Sequence, residues 1–276
     1  MSTHNAQKPL KPMTSFLTWG LPDAAALRRM GALARAELTL LLRNRSALFV
    51  SLLMPAALIG LSYTASDQLD LAGTGLSRGE AVMTGGIGMV LIMVLYLGLI
   101  PTYVARREER VLKRLRTGEL TDGEIMTATA LPAAVLALVQ CVLLVVGGIA
   151  VLDAAVPENA AVLLLGLLLG TAVLAAASAA TATFTKTVES AQITGMPLLM
   201  ISVMGSGLYF PLDILPDNLA EICRFLPLTP AVDLVRAGWL GGIDASDQLR
   251  AMAVGVAWIA ASVFAVRRWF RWEPRH

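Results

Sequence analysis

Long apolar runs alternate with short polar segments along the 276 residues of this chain. Six of the runs have about the length of a helix that crosses a bilayer core, and they contain no Asp, Glu, Lys, Arg or His. They cover residues 47–65, 81–104, 126–152, 160–184, 191–210 and 251–266. The last run is short, and Trp258, Trp269 and Trp272 are of a type that favours the membrane interface at its ends. The pattern predicts an all-α integral membrane protein with six transmembrane helices.

The composition and the placement of charge agree with this interpretation. Charged residues make up 15% of the chain, against about 25% in an average soluble domain. Of the 22 Lys and Arg residues, 18 lie before the first run, in the loop after the second, at Lys186 or in the C-terminal tail. Because short cytoplasmic loops carry the positive excess, both termini are predicted to be cytoplasmic. The remaining four, Arg78, Arg224, Arg236 and Arg250, are predicted to lie on the outer side.

Residues for chemistry inside the membrane are scarce. The two histidines, His4 and His276, stand near the chain ends, so a serine or zinc hydrolase site lacks its base or its ligands. None of the four lysines follows a glycine, so the chain has no P-loop. Cys141 and Cys223 differ in predicted depth, which argues against a disulfide and favours two small core residues. The formal charge of +2 gives no indication of a nucleic acid partner.

The loop between the second and third runs is predicted to contain a short basic helix. Val111, Leu112 and Leu115 form one apolar stripe, surrounded by four Arg and Lys side chains. Thr121 or Asp122 can cap the helix that follows. A charged helix held between two spanning helices can pass a push to both of them. A solvated loop that only follows the charge rule is the alternative.

This loop resembles the coupling helix of the membrane subunit of type-2 ABC transporters, the ABC export permease family. The matching residues are Glu109, Leu112, Leu115, Arg116, Thr117, Glu124 and Ile125. The chain departs from the family pattern where Arg110-Val111 replaces Gly-Thr and where Gly118 replaces Pro. The resemblance implies that an ATPase contacts Glu109, Arg110, Leu112, Arg114, Leu115, Arg116 and Thr117.

Residues 206–238 resemble the external region of the same family, in which a re-entrant helical hairpin follows the fifth span. The matching residues are Ser206, Gly207, Phe210, Pro211, Leu215, Pro216, Pro227, Leu228, Thr229, Asp233 and Arg236. Proline at 211, 216, 227 and 230 is expected to break the helices. Leu219, Ile222 and Phe225 lie on one face of the first short helix. The resemblance implies two short amphipathic helices at or in the outer leaflet, and an ordinary outer loop is the alternative.

The N-terminal segment resembles the interfacial helix of the family, which lies along the inner membrane surface and meets the ATPase. Apolar residues recur at helical spacing across residues 24–45 among several arginines, as in a helix that lies in an interface. Arg35 and Glu37 are the candidate ATPase contacts in it. Residues 1–23 are predicted to be a disordered cytoplasmic lead-in, which leaves one transmembrane domain over residues 24–276.

Flexible methionines mark a candidate substrate pathway. The residues at helical spacing are Met89, Met93 and Tyr96 on the second run and Met196, Met200 and Met204 on the fifth. In the resembling family these spans border the path at the dimer seam, and plain helix packing is the alternative for each residue. Gly166 and Gly170 form a GxxxG pair that is expected to pack inside the chain rather than at a seam.

The resemblance implies the permease subunit of an ATP-driven exporter in the inner or plasma membrane, with no catalytic or metal site of its own. Its cargo would be an apolar small molecule or lipid-like metabolite, as in drug efflux. Two copies of a separate P-loop ATPase would bind ATP and Mg, and a second permease chain, more simply a copy of this one, would complete the complex. An ion-coupled or facilitative carrier, a lipid- or polysaccharide-exporting permease, and a membrane anchor or assembly factor without transport are the alternatives.

Overall fold

The computed structural model describes residues 78–109, 122–151, 154–208 and 216–270, together with eight single positions between 31 and 60. All regular structure within these residues is helical. In chain order it comprises α1 (Arg78–Val90), a π-helical segment (Leu91–Leu97), α2 (Gly98–Glu108), α3 (Asp122–Val151), α4 (Ala160–Phe184), α5 (Ala191–Gly205), α6 (Asp217–Arg224), α7 (Thr229–Leu240) and α8 (Ala245–Trp269). The predicted all-α class is confirmed for this part of the chain.

Within the described residues, four continuous helices are long and apolar enough to cross a membrane. They are Gly79–Glu108, Asp122–Ala150, Ala160–Phe184 and Ala245–Trp269, which correspond to the second, third, fourth and sixth apolar runs. Each exceeds the roughly 20 residues that a bilayer core requires. The first run lies mostly outside the described residues, and its described positions Phe49, Leu53, Ala57 and Gly60 are helical. The chain therefore has the helices of a multi-pass membrane protein.

The fifth apolar run forms a shorter helix than its length in the sequence suggests. The run extends to residue 210, whereas α5 ends at Gly205 after 15 residues. The backbone turns away there because Gly207 adopts a φ of 72°, a conformation that glycine takes at little steric cost. At a rise of 1.5 Å per residue, α5 is about 22 Å long, less than the roughly 30 Å of a bilayer core.

Helix α4 lies at the centre of the fold, packed against α7, α8, α2, α3, α5 and the π-helical segment. Its two glycines allow α7 to approach closely. A Cβ atom on Gly166 would lie 2.9 Å from the backbone nitrogen of Val235, and one on Gly170 would lie 2.8 Å from the Cβ of Ala231. Both distances are too short for a side chain, so only glycine fits. The prediction that this glycine pair packs inside the chain is confirmed.

The continuous helix formed by α1, the π-helical segment and α2, hereafter the α1–α2 helix, supplies most of the large buried side chains. They include Met83, Ile87, Leu91, Ile92, Leu95, Tyr96, Leu99, Ile100 and Tyr103. Pro101 lies inside α2 and has no N–H, so it cannot donate to the carbonyl of Leu97 at the end of the π-helical segment. The departure from regular α geometry thus lies directly before the proline.

The last helix is longer than the sixth apolar run and uses one of its tryptophans differently from the prediction. It covers Ala245–Trp269, 25 residues, whereas the run covers 251–266. Trp258 lies near its middle rather than at an end, and its Nε1–H donates to the carbonyl of Phe225 over 2.7 Å. Trp258 therefore joins α8 to the turn between α6 and α7.

Helices α6 and α7 form a hairpin whose second arm runs antiparallel to α4. At the start of α4, the backbone N–H of Asn159 donates to the carbonyl of Gly238 over 2.9 Å. Towards the other end of α7, Ala231 meets Gly170. Residues 159 and 170 are eleven positions apart, so the hairpin tip lies about 16 Å along α4 from its first turn.

Candidate functional site

A buried guanidinium stands at the point where the α1–α2 helix enters the basic loop. Arg107 has no solvent exposure and lies one residue before the end of α2. Its Nη1 donates to the carbonyl of Ala182 over 3.1 Å, and its Nη2 donates to the carbonyls of Thr185 and Lys186 over 2.6 and 3.0 Å. These carbonyls belong to the last turn of α4 and the residues after it, where the backbone is left without helical donors and carries partial negative charge.

Two tyrosines on the same face of the α1–α2 helix also form hydrogen bonds to neighbouring helices. Tyr103 donates its hydroxyl to the carbonyl of Met126 on α3 over 3.1 Å, and the Tyr96 hydroxyl lies 3.0 Å from that of Thr181 on α4. Positions 96, 103 and 107 are seven and four residues apart, which places them on one helical face. The α1–α2 helix is therefore fixed to both α3 and α4 just before the loop.

Sequence reasoning missed Arg107 as a structural residue. The charge pattern groups Arg107 with the cations of the loop after the second run, because that run ends at Val104. The helix continues for four further residues, to Glu108. The four-residue spacing from Tyr103, which lies inside the apolar run, was the signal in the sequence that could have placed Arg107 on the same helical face.

The predicted ATPase-coupling residues are described only in part. Glu109 is the exposed C-cap of α2, and its N–H donates to the carbonyl of Ala105 over 2.9 Å. Arg35 is helical and exposed. On the other side of the loop, Glu124 and the buried Ile125 lie in the first turn of α3. The remaining predicted contacts, Glu37, Arg110, Leu112, Arg114, Leu115, Arg116 and Thr117, lie outside the described residues.

The connection between α4 and α5 is a compact polar turn beside Arg107. The backbone N–H of Thr187 donates to the Ser190 hydroxyl over 3.1 Å, and that hydroxyl donates to the Thr187 carbonyl over 2.9 Å. Lys186 and Glu189 are exposed. Hydrogen bonds from its own backbone N–H and from Thr187 hold the pKa of Glu189 below its usual value.

Helix α5 has one packed face and one unpacked face. Ala191, Gly195, Leu199 and Ser202 are buried, and a Cβ on Gly195 would lie 3.0 Å from Ile100. The opposite face exposes apolar side chains: Ile193, Met196, Met200, Ile201 and Met204. All three predicted pathway methionines of this helix thus lie on one surface of the chain.

The predicted pathway residues of the second run lie deeper. Met89 and Met93 are half-buried against the core, and Tyr96 is buried with its hydroxyl against Thr181. In this chain Tyr96 is therefore a helix-packing residue, while Met196, Met200 and Met204 are accessible.

Two side chains of the predicted external motif, Thr229 and Arg236, connect α7 to α6 and to the residues after α5. Thr229, the first residue of α7, donates its hydroxyl to the carbonyl of Cys223 over 2.7 Å. Arg236 donates from Nη2 to the carbonyl of Gly207 over 2.5 Å, which joins α7 to the residues after α5. Pro227 and Leu228 are buried in the turn between α6 and α7, and Asp233 is half-buried on α7. Phe210 and Pro211 lie outside the described residues.

Two details of the hairpin differ from the prediction. Pro216 and Pro227 flank α6 as expected, but Pro230 lies in the first turn of α7, where its missing N–H costs no helical hydrogen bond. Helix α6 also has a second apolar face. Ala220 and Cys223 pack inward, where Cys223 lies against Gly205, while the predicted apolar face of Leu219, Ile222 and Phe225 is exposed.

Within the described residues, no group of three or more His, Cys, Asp and Glu side chains could hold a metal ion. Both cysteines are buried free thiols, as predicted.

Taken together, the four helices long enough to span a membrane and the hairpin packed against α4 define a polytopic helical membrane domain. The family model described as ABC-2 type transporter matches residues 28–240. This match covers most of the chain, which therefore belongs to the ABC-2 type transporter family and is an ABC transporter permease. Permeases of this family normally pair with an ATPase subunit. A search of curated proteins found no match.

Proposed function

We propose that this chain is the permease subunit of an ATP-driven exporter that moves an apolar small molecule or lipid-like metabolite out of the cytoplasm. The observation that carries the proposal is the Arg107 anchor at the entrance to the basic loop. A separate P-loop ATPase, in two copies with ATP and Mg, supplies the energy. Two copies of this chain, in the inner or plasma membrane with both termini cytoplasmic, enclose the path.

The anchor makes the loop a suitable point for force to enter the membrane domain. A push on the loop acts first on the end of α2, because Glu108 and Glu109 connect α2 directly to the loop. Arg107 passes the displacement to the end of α4, and Tyr103 passes it to the start of α3. Packed helices move as bodies rather than deforming continuously, so three spans respond together.

The exposed methionine face of α5 supports an apolar cargo. Met196, Met200 and Met204 are flexible and polarizable, and they form an adaptable surface without charge. In a pair of permease chains we assign this face to the seam between them, where a cargo molecule would pass. The same surface offers no row of aromatic rings on which sugar rings could stack, which disfavours a polysaccharide.

The hairpin of α6 and α7 is assigned to the outer side of the path. Its tip reaches about 16 Å along α4 and meets the end of α5, where Cys223 lies against Gly205. We assign it as a re-entrant element that enters the outer leaflet and closes the path between transport cycles.

Co-purification with an ATPase tests the proposal directly. The chain is tagged at His276, extracted mildly and analysed by mass spectrometry for an associated P-loop ATPase. We expect the ATPase with the unmodified chain and its loss from Leu112→Asp/Leu115→Asp, because the apolar stripe of the loop is then charged. Leu249→Asp is the matched control, since Leu249 is an exposed leucine at the start of α8. An intact, dimeric protein without any ATPase would contradict the exporter and favour the carrier alternative.

A further inference from the structure

A cavity of about 290 Å³ opens between the end of α6, α7 and the first turns of α8. Three arginines line it: Arg224 from α6, Arg236 from α7 and Arg250 from α8. Asp233 and Asp247 also line it, so the charges in its wall sum to one positive charge. Arg236 donates to the carbonyl of Gly207 as well, which fixes its guanidinium at the cavity wall.

The position of these arginines differs from the general distribution of charge in the chain. The charge pattern places four of the 22 Lys and Arg residues on the outer side, and three of those four line this one cavity. Outer segments of membrane proteins are poor in Lys and Arg, so a cluster there does not follow from loop composition. The three residues also come from three different helices, which shows that the fold gathers them.

The cavity lies where the polar outer segment meets the apolar part of α8. Its wall includes Arg250 and also Ala251 and Val254, the beginning of the sixth apolar run. On the same hairpin, α6 exposes the apolar side chains Ile222 and Phe225. A volume of about 290 Å³ is at the lower end of the range for small-molecule pockets. It fits a compact polar head group better than a whole drug or lipid.

We propose that this cavity binds a phosphate-type anionic group at the outer face of the membrane. The group comes from the head of an anionic phospholipid or from soluble phosphate. Guanidinium forks match phosphate oxygens bidentately, which favours arginine clusters for this ligand. Arg250 at present pairs with Asp247 over 3.1 Å, with both side chains half-exposed. Such exposed pairs contribute little, so an anion with more oxygen acceptors can replace the carboxylate.

Native mass spectrometry of the purified full-length chain in detergent tests the site. The protein is titrated with phosphatidylglycerol and, in parallel, with zwitterionic phosphatidylcholine. We expect tighter binding of phosphatidylglycerol, weakened roughly three- to fivefold by Arg250→Gln. Asp247→Asn removes the competing carboxylate and is expected to tighten binding by a similar factor. Both positions are exposed, so the variants are expected to fold.

Arg268→Gln is the control, because it removes an exposed arginine from the opposite end of the same helix. Unchanged affinity in this variant separates the cavity from general attraction of anionic lipid. Displacement of the lipid by inorganic phosphate identifies soluble phosphate as a ligand, and its failure identifies the lipid head group. Equal affinity of the parent, Arg250→Gln and Asp247→Asn, or equal affinity for the two lipids, would overturn the site. The assay needs no ATPase, so that result would leave the proposed function untouched.

Discussion

Arg107 is the last of three polar side chains, after Tyr96 and Tyr103, on one face of the α1–α2 helix, and it has no solvent exposure. A buried charge is costly unless it is hydrogen-bonded, and here three backbone carbonyls accept from it. The last turn of a helix carries partial negative charge, so the end of α4 and the cation stabilise each other. The buried charge of Arg107 thus has hydrogen-bond acceptors, and the carbonyls at the end of α4, which have no helical donors, accept hydrogen bonds from it.

Replacement of Arg107 should destabilise the protein strongly. Arg107→Ala leaves three carbonyls without this donor, at a cost of about 3 kcal/mol. We expect the thermal midpoint of the purified protein to fall by roughly 6–12 °C, measured by loss of the monodisperse species after heating. Arg107→Lys keeps the charge but not the forked geometry of the guanidinium. Its thermal midpoint should therefore lie between those of the parent protein and Arg107→Ala. Arg268→Ala, at an exposed site, is the control, and an equal effect there would contradict the anchor.

The glycines of α4 should tolerate no added methyl group. Gly166→Ala places a Cβ 2.9 Å from the backbone nitrogen of Val235 and 3.1 Å from the carbonyl oxygen of Ala231, and these backbone atoms cannot rotate away. We expect a loss of about 1–3 kcal/mol, measured as a lower thermal midpoint. Gly147→Ala on α3 adds the same methyl group into open space and should leave the midpoint unchanged or raise it slightly. Equal behaviour of the two variants would contradict the close packing.

At the scale of helices, the apolar runs indicated which segments would be helical, but their ends depend on contacts that a run does not record. α4 matches its run at both ends, because Asn159 caps it and its last carbonyls receive Arg107. α5 stops five residues before its run does, since the turn at Gly207 and the carbonyl bound by Arg236 end it. The residues on both sides of that end are uncharged, so the limits of the uncharged run could not place it.

The candidate site was predictable in the same uneven way. The methionines of α5 were grouped correctly on one face by their four-residue spacing. The buried role of Tyr96 could not be read from the sequence, because its partner Thr181 is 85 residues away. The arginine cavity joins residues from three helices, and no local pattern records which loops meet. Long-range pairing is therefore the information that the sequence pattern lacked.

The hairpin of α6 and α7 should loosen when its link to α8 is removed. Trp258→Phe deletes the N–H that bonds to Phe225, at a cost of about 1 kcal/mol. In a Cys141→Ala background, we expect Cys223, which is buried, to react several-fold faster with a membrane-impermeant maleimide added from outside. Trp269→Phe, at the far end of α8, is the control. Labelling that is faster only from the cytoplasmic side would contradict the proposed outer position of the hairpin.

At the scale of the whole molecule, one surface stands out as incomplete. α5 buries one face against the α1–α2 helix and leaves a continuous apolar face of methionine and isoleucine without a partner in the described chain. α3 also exposes apolar side chains, among them Leu143 and Val146, as a lipid-facing helix would. An experiment that detects a second chain distinguishes the two surfaces.

Disulfide crosslinking in native membranes makes this distinction. With both native cysteines replaced by alanine, Met204→Cys is expected to give an oxidised dimer, because the α5 faces of two chains meet at the proposed seam. Leu143→Cys lies on an exposed face of α3 and should remain monomeric under the same oxidant. Dimers in equal yield from both positions would indicate random collision and would contradict the seam.

In the proposed exporter, the shortness of α5 would determine where a cargo molecule leaves the protein. The helix covers about 22 Å of a hydrocarbon layer roughly 30 Å thick, so with the proposed cytoplasmic start it would end among the acyl chains of the outer half. An amphiphile that reaches this point can depart by lateral diffusion into the lipid. A hydrophilic solute would still face the dehydration barrier of the remaining quarter of the layer. The early end of α5 would therefore select cargo by its solubility in the hydrocarbon layer rather than by its shape.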